Sequence, residues 1–277
     1  MDNEKIEFYR DKYFTFDEPV PYKLRCGDEI FIHPITMKDW AIFISYCDVL
    51  KIDKNSISRP EIISMTYLKY LNDIQFKFDR KNDGEDFTYG DLQRYKFQQV
   101  MQMCLHEQYV DTVYSSGRVV CVIGNVDKDQ KIDVKGIMTN KEFLEVVDII
   151  FCQNFVDYDD RKLDPKVKKM YDDYIKLKTE GQYNPTLEQK YNFVLVHSSI
   201  KPEDFKNMTY RRFMGVYQCA LDESLYFSTR LAEVSPKFDV KKFRDFYMFE
   251  KKDKYNGFIL SDERANEIKT QVGAFNE

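Results

Sequence analysis

Asn125, Asp127, Asp129 and Asp133 space their side-chain oxygens along the stretch NVDKDQKIDVKG, residues 125–136. Oxygen donors at positions 1, 3, 5 and 9 of a twelve-residue loop are the pattern by which a chain wraps a calcium ion. That geometry also requires glycine at position 6 for its sharp turn and a bidentate glutamate at position 12. Here those places hold Gln130 and Gly136. The flanking RVVCVIG reads as a strand, whereas a calcium loop is entered from a helix. The letters favour a polar hairpin turn over an ion site.

A second group of oxygen donors is Asp157, Asp159, Asp160 and Asp164 in DYDDRKLDP. Paired carboxylates can hold a metal or move protons, but only with partners converging from elsewhere in the chain. Followed by Pro165, they read more simply as linker and helix-capping residues. The histidines are His33, His106 and His197. Cys104 and His106 stand two apart, which on a helix turns them away from one another. His197 follows the apolar run FVLV and reads as a core-edge residue. Arg211 and Arg212 could grip a carboxylate or phosphate, but surface or inter-helix ion pairs explain them more cheaply. No nucleophile elbow, metalloprotease helix, P-loop or dinucleotide-binding glycine motif is present, and ten glycines leave little from which to build a phosphate cradle. The sequence therefore assigns no catalytic, cofactor-binding or metal-binding residue.

The elements that would position such groups read as mainly α with two small β-hairpins, an α+β chain with a multi-helix body. Residues 1–20 form a polar, aromatic-spotted N-terminal arm. PYKLRCGDEIFIHPI alternates around Gly27-Asp28 as a hairpin, and TMKDWAIFISYCDVL follows as a helix to Leu50, with Thr36 and Asp39 as an acidic capping box. Pro60 suits the start of a second helix, PEIISMTYLKYLNDI; RKNDGED reads as a loop, and YGDLQRYKFQQVMQMCLHEQ as a third helix. GRVVCVIGNVDKDQKIDVKGI is the second hairpin, and Thr139 with Glu142 forms a capping box before TNKEFLEVVDIIFCQNF. Hairpin, Thr-capped helix and acid–aromatic pair thus occur twice, near residues 21–50 and 118–154, as after a duplication.

Beyond the hydrophilic stretch 157–165, helices dominate. They are DPKVKKMYDDYIKLKTEG, then TLEQKYNFVLVHS capped by Thr186 and Gln189, then a long helix ending before Pro236. That helix carries Phe213, Val216, Tyr217, Ala220 and Leu221 on one face. Shorter helices are expected near 240–250 and 262–272. The expected division is an arm (1–20), a hairpin-plus-helix domain (21–156) and a helical domain (157–277).

Composition narrows the function classes. The chain has 277 residues, 43% hydrophobic and 16% aromatic, with 20 Tyr and 22 Phe, which is ample for a core and for broad contact surfaces. A net charge of -5 disfavours duplex nucleic acid as a partner. Residues 237–254 hold seven basic residues (237, 241, 242, 244, 251, 252, 254) against four acids (239, 245, 250, 253), a local excess of three that reads as a solvated face. Cysteines 26, 47, 104, 121, 152 and 219 form no C-x-x-C pair and read as small buried hydrophobes of a reducing compartment. The charged start MDNEKIEFYRDKYF lacks the apolar core of a signal peptide, and no run approaches the ~20 apolar residues of a membrane span.

Ile30, Ile32, Pro34, Ile35, Thr36, Lys38, Asp39 and Trp40, at the junction of hairpin and helix, resemble a phrase that opens the helical body of some bacteriophage tail and baseplate assembly proteins. The Lys-, Asn-, Tyr- and Asp-heavy composition is similar to that of phages of low-GC bacteria. The resemblance covers about 20 residues of the 277 and implies a non-enzymatic role as a tail assembly chaperone or a tail or baseplate component. It implies other proteins as partners, no cofactor, and the host cytoplasm as the setting, with retention in the virion left open. An intracellular adaptor or inhibitor of a host protein, and an enzyme whose acidic 157–164 cluster meets the histidines, remain as alternatives. FYRDKYFTFDEPVP, with five aromatics, is equally suited to dock on a neighbour or to pack on its own domain.

Overall fold

A computed structural model describes residues 3–51, 64–78, 88–127, 129, 131–156, 165–180 and 184–233. The expected second helix (residues 60–63 of it), the loop 80–86, the Asp cluster 157–164 and everything expected beyond 233 lie outside these residues in whole or in part.

The first alternation folds as a hairpin of β1 (Val20–Lys23) and β2 (Glu29–Ile32), antiparallel with Val20 opposite Ile32 and Lys23 opposite Glu29. Period two sends Val20, Tyr22, Ile30 and Ile32 into the core and leaves Lys23, Glu29 and Phe31 exposed. The turn needs Gly27, whose φ of 103° would strain any L side chain.

The second β-region is a sheet of three strands, not a lone hairpin: β3 (Tyr109–Ser115), β4 (Arg118–Val126) and β5 (Ile132–Met138), antiparallel in the order β3-β4-β5. Strand β3 escapes a pattern reading because Asp111 interrupts its apolar run. The carboxylate is buried yet satisfied: Arg94 reaches it from Nε and Nη2 at 3.0 and 2.6 Å and Gln98 donates at 3.0 Å. The calcium-like stretch lies at the β4–β5 turn, where one Asp127 oxygen accepts the backbone N–H groups of Asp129 and Lys131. The register shifts between Ile123 and Gly124, and a Cβ on Gly124 would run into the Asp133 carbonyl oxygen.

The described residues form eight helices. Helix α1 (Asn3–Lys12) occupies the arm, and a 3-10 turn at Phe14–Phe16 follows it. Tyr9 and Phe14 are buried in the main core, so this segment packs on its own domain. Helix α2 (Trp40–Tyr46) runs into a 3-10 turn, Cys47–Leu50. It starts later than the Thr36 capping box implies. Asp39 is the N-cap, Thr36 merely donates its hydroxyl to Asp39 at 3.0 Å, and the Thr36 backbone bridges Thr209 instead. Helix α3 (Tyr67–Tyr70) continues as a π-turn to Gln75, and α4 (Tyr89–Leu105) opens with a Thr88–Asp91 capping box.

Helix α5 (Asn140–Gln153) has the expected Thr139–Glu142 box, and the same Glu142 carboxylate accepts the Arg25 backbone N–H at 2.7 Å, tying the first hairpin to this helix. Phe143, Val146, Val147, Ile149 and Ile150 line its buried side. Helices α6 (Pro165–Thr179), α7 (Leu187–His197) and α8 (Tyr210–Glu233) complete the set, with the Thr186–Gln189 box in place. Phe213 of α8 joins Val194 and Phe205 in a small second core that Val216 and Tyr217 flank. The two hairpin-to-helix stretches are not alike: only the later one has a third strand and a Thr-capped helix.

The chain divides into two compact units, Met1–Lys162 with Pro185–Ala220, and Leu163–Asn184 with Leu221–Glu277. Residues 185–220, grouped by sequence with the C-terminal helices, thus cluster with the first unit. The six cysteines are free, but Cys26 is exposed in the β1–β2 turn and only 47, 104 and 121 are fully buried, which corrects the uniform buried reading. No helix among the described residues is long and apolar enough to cross a membrane.

Candidate functional site

Two segments far apart in sequence are knitted together at one edge of the first unit. The Met37 N–H donates to Met208 O (2.8 Å), the Lys38 N–H to Lys206 O (3.1 Å) and the Tyr210 N–H to Ile35 O (3.0 Å). The Trp40 ring lies flat on Tyr210, centroids 3.3 Å apart and 4° from parallel. Behind this seam the buried Asn154 accepts the Ile35 N–H at 2.8 Å and donates to Ile150 O at 2.9 Å.

Asp17 reaches the same place from the turn after α1, where it is held at φ 60°. One of its oxygens accepts the Thr209 hydroxyl at 2.6 Å and the other pairs with Arg212 at 3.2 Å. The third wall is imidazole. The His33 N–H, just past β2, donates to Cys104 O at 2.7 Å, while His106 caps α4 in the left-handed region at φ 54°. That pose brings the two rings face to face, centroids 3.7 Å apart and 13° from parallel.

Together these groups enclose an open cleft of about 670 Å³, with Asp17, Asp39, Asp204 and Arg212 among its lining residues along with both imidazoles. Volumes of this order suit ligands much larger than a water or a bare ion. Among the described residues, no three His, Cys, Asp or Glu side chains are grouped to hold a metal ion. The lining offers charged and hydrogen-bonding side chains.

Burial, and then the neighbouring His106, push the His33 pKa from its ordinary 6.5 down to about 4. An unfolded His33 takes up its proton near pH 6.5 and the folded one only near pH 4, so between these values the unfolded chain binds more protons. The stability carried by the neutral ring is present above pH 6.5 and is lost as pH falls through that window. The urea midpoint of the wild type is expected to fall more steeply between pH 7 and pH 4 than that of His33→Gln, within the window set by the shifted His33. Equal slopes would remove His33 as the cause.

The sequence candidates fare differently. His33 and His106 meet, although nothing in their local sequence announces it; the signal is a hairpin end and a helix end that become neighbours only in the fold. His197 lies against Phe193 and is no part of the cleft. The adjacent arginines split. Arg212 faces the cleft, whereas Arg211 donates to the Cys152 carbonyl and sits over the Phe155 and Phe14 rings, where burial lowers its pKa to about 10. Asp157, Asp159, Asp160 and Asp164 lie outside the described residues. No protein-family model, curated protein or solved structure matches the chain.

Proposed function

We propose that this chain is a non-enzymatic protein-binding protein, and that it belongs with the phage tail and baseplate assembly or structural proteins that its Ile30–Trp40 phrase resembles. One observation carries the protein-binding reading. The outer face of the β4–β5 hairpin presents Val126, Ile132, Val134 and Ile137 at 40%, 44%, 50% and 42% exposure. Register makes them neighbours: Val126 stands opposite Ile132, and Val134 and Ile137 oppose Gly124 and Val122 on the same side. A contiguous aliphatic face of this kind marks a contact surface.

The edge of β5 is poorly suited to receive another strand. It carries the irregularity opposite Ile123 and Gly124, where Lys135 is left without a register partner, and the charged Asp133 and Lys135, devices that discourage edge-to-edge pairing. The aliphatic face is therefore the contact, and the partner contributes apolar side chains.

The test is gentle purification from the native source followed by mass spectrometry, with wild type and a Val134→Asp variant compared. Tail or baseplate proteins are expected with the wild type and are lost with the variant, while its unfolding free energy in urea stays within about 0.5 kcal/mol of the wild type, as for an exposed position. A host protein in their place would replace this reading with that of an adaptor. A lone chain would remove the protein-binding reading.

A further inference from the structure

We propose that the cleft between the stacked histidines and Asp39 and Asp204 receives a guanidinium group, the arginine side chain of a partner protein. The inference deepens the protein-binding reading and rests on it for the source of that side chain.

Charge balance comes first. The cleft holds three carboxylates, Asp17, Asp39 and Asp204, against one guanidinium, Arg212. Arg212 is already committed to Asp17, which also takes the Thr209 hydroxyl. Asp39 accepts the Thr36 hydroxyl on one oxygen only. Among the described residues, the Asp204 carboxylate has no hydrogen-bond or ion-pair partner. Two lining carboxylates thus lack a cation among the described residues, while Arg212, the guanidinium of the lining, is paired with Asp17. The cleft selects for positive charge.

Shape then separates guanidinium from other cations. The stacked imidazoles form a flat wall, with His106 exposed as the outer ring. A planar, weakly hydrated guanidinium stacks on such a face and presents paired N–H groups to carboxylates in its own plane, whereas an ammonium can do only the second. His33, held uncharged at neutral pH, adds no positive charge to the wall. The remaining lysines here, Lys38 and Lys206, are solvent-exposed and do not line the cleft. The volume accommodates a whole arginine side chain.

Three histidines make the test direct, because the imidazole C–H regions of a proton–carbon NMR spectrum hold only two signals from each, its Cδ2–H and Cε1–H. The isolated full chain is titrated at pH 7 with L-arginine amide, with L-citrulline amide, which keeps the α-ammonium group but has an uncharged ureido side chain, and with inorganic phosphate. Saturable shifts of His33 and His106, with His197 unmoved and citrulline amide inert, are expected. Asp39→Asn combined with Asp204→Asn is expected to weaken arginine amide binding by roughly ten-fold or more, through loss of charge-assisted hydrogen bonds. An unchanged His197 signal shows that the double variant is folded.

Equal shifts from citrulline amide, no saturation, or binding of phosphate in place of arginine amide would each overturn the proposal. The outcome is separable from that of the hairpin face. Arginine amide binding without a co-purifying protein leaves the cleft standing and removes the partner. A partner captured through Val134 with no arginine amide effect does the reverse.

Discussion

Phe143→Ala is expected to lower the stability of the first unit by about 4 kcal/mol, the scale for emptying a fully buried aromatic site. Phe143 has no exposed surface and sits where α5 meets α3 and α4. Its ring stacks on Tyr67 at 5.7 Å and meets Phe97 at 5.9 Å, so truncation opens a cavity bounded by two other rigid rings. Rigid neighbours collapse poorly into a void, which places the cost in the upper part of the range for such substitutions. The check is urea denaturation beside Leu144→Ala on the exposed side of the same helix, which is expected to change stability by less than about 1 kcal/mol. If the two variants had equal midpoints, the aromatic cluster would not be the centre of the core.

Asn154→Ala is expected to cost about 2–3 kcal/mol, mostly from a single stranded donor. The Asn154 side chain is fully buried and its oxygen is the acceptor for the N–H of Ile35, itself buried. Alanine leaves that N–H dry and unpaired, whereas Ile150 O keeps the Asn154 backbone N–H at 3.1 Å. The effect is also functional, because Ile35 anchors the strand-like seam to Tyr210 that shapes the cleft. Asn154→Asp retains the acceptor, and the slow hydrogen exchange of the Ile35 amide is expected to survive better in it than in Asn154→Ala. Full protection of that amide in the alanine variant would sink the account.

The capping boxes were readable as letters because they are closed locally: Thr139 with Glu142 and Thr186 with Gln189 satisfy helix N–H groups within four residues, whatever the rest of the chain does. The first hairpin was readable for the same reason, its alternation and Gly27 turn needing no distant partner. Thr36–Asp39 has nearly the same spelling yet starts no helix there, because the Thr36 backbone is drawn into pairing with Thr209. Strand β3 was hidden by Asp111, a charge that a pattern places outside and that Arg94 and Gln98 make tolerable inside.

Length, aromatic content and periodicity determined by themselves that this would be a helix-rich α+β chain with hairpins, since those signals follow from local backbone geometry and the burial of one face. Only the tertiary structure decided the cleft. Its walls come from the turn after α1, the end of β2, the cap of α4 and the start of α8, and none of these carries a motif. A stacked pair of histidines, a carboxylate left without a cation and an arginine separated in role from its neighbour are relations between side chains, created when distant segments pack.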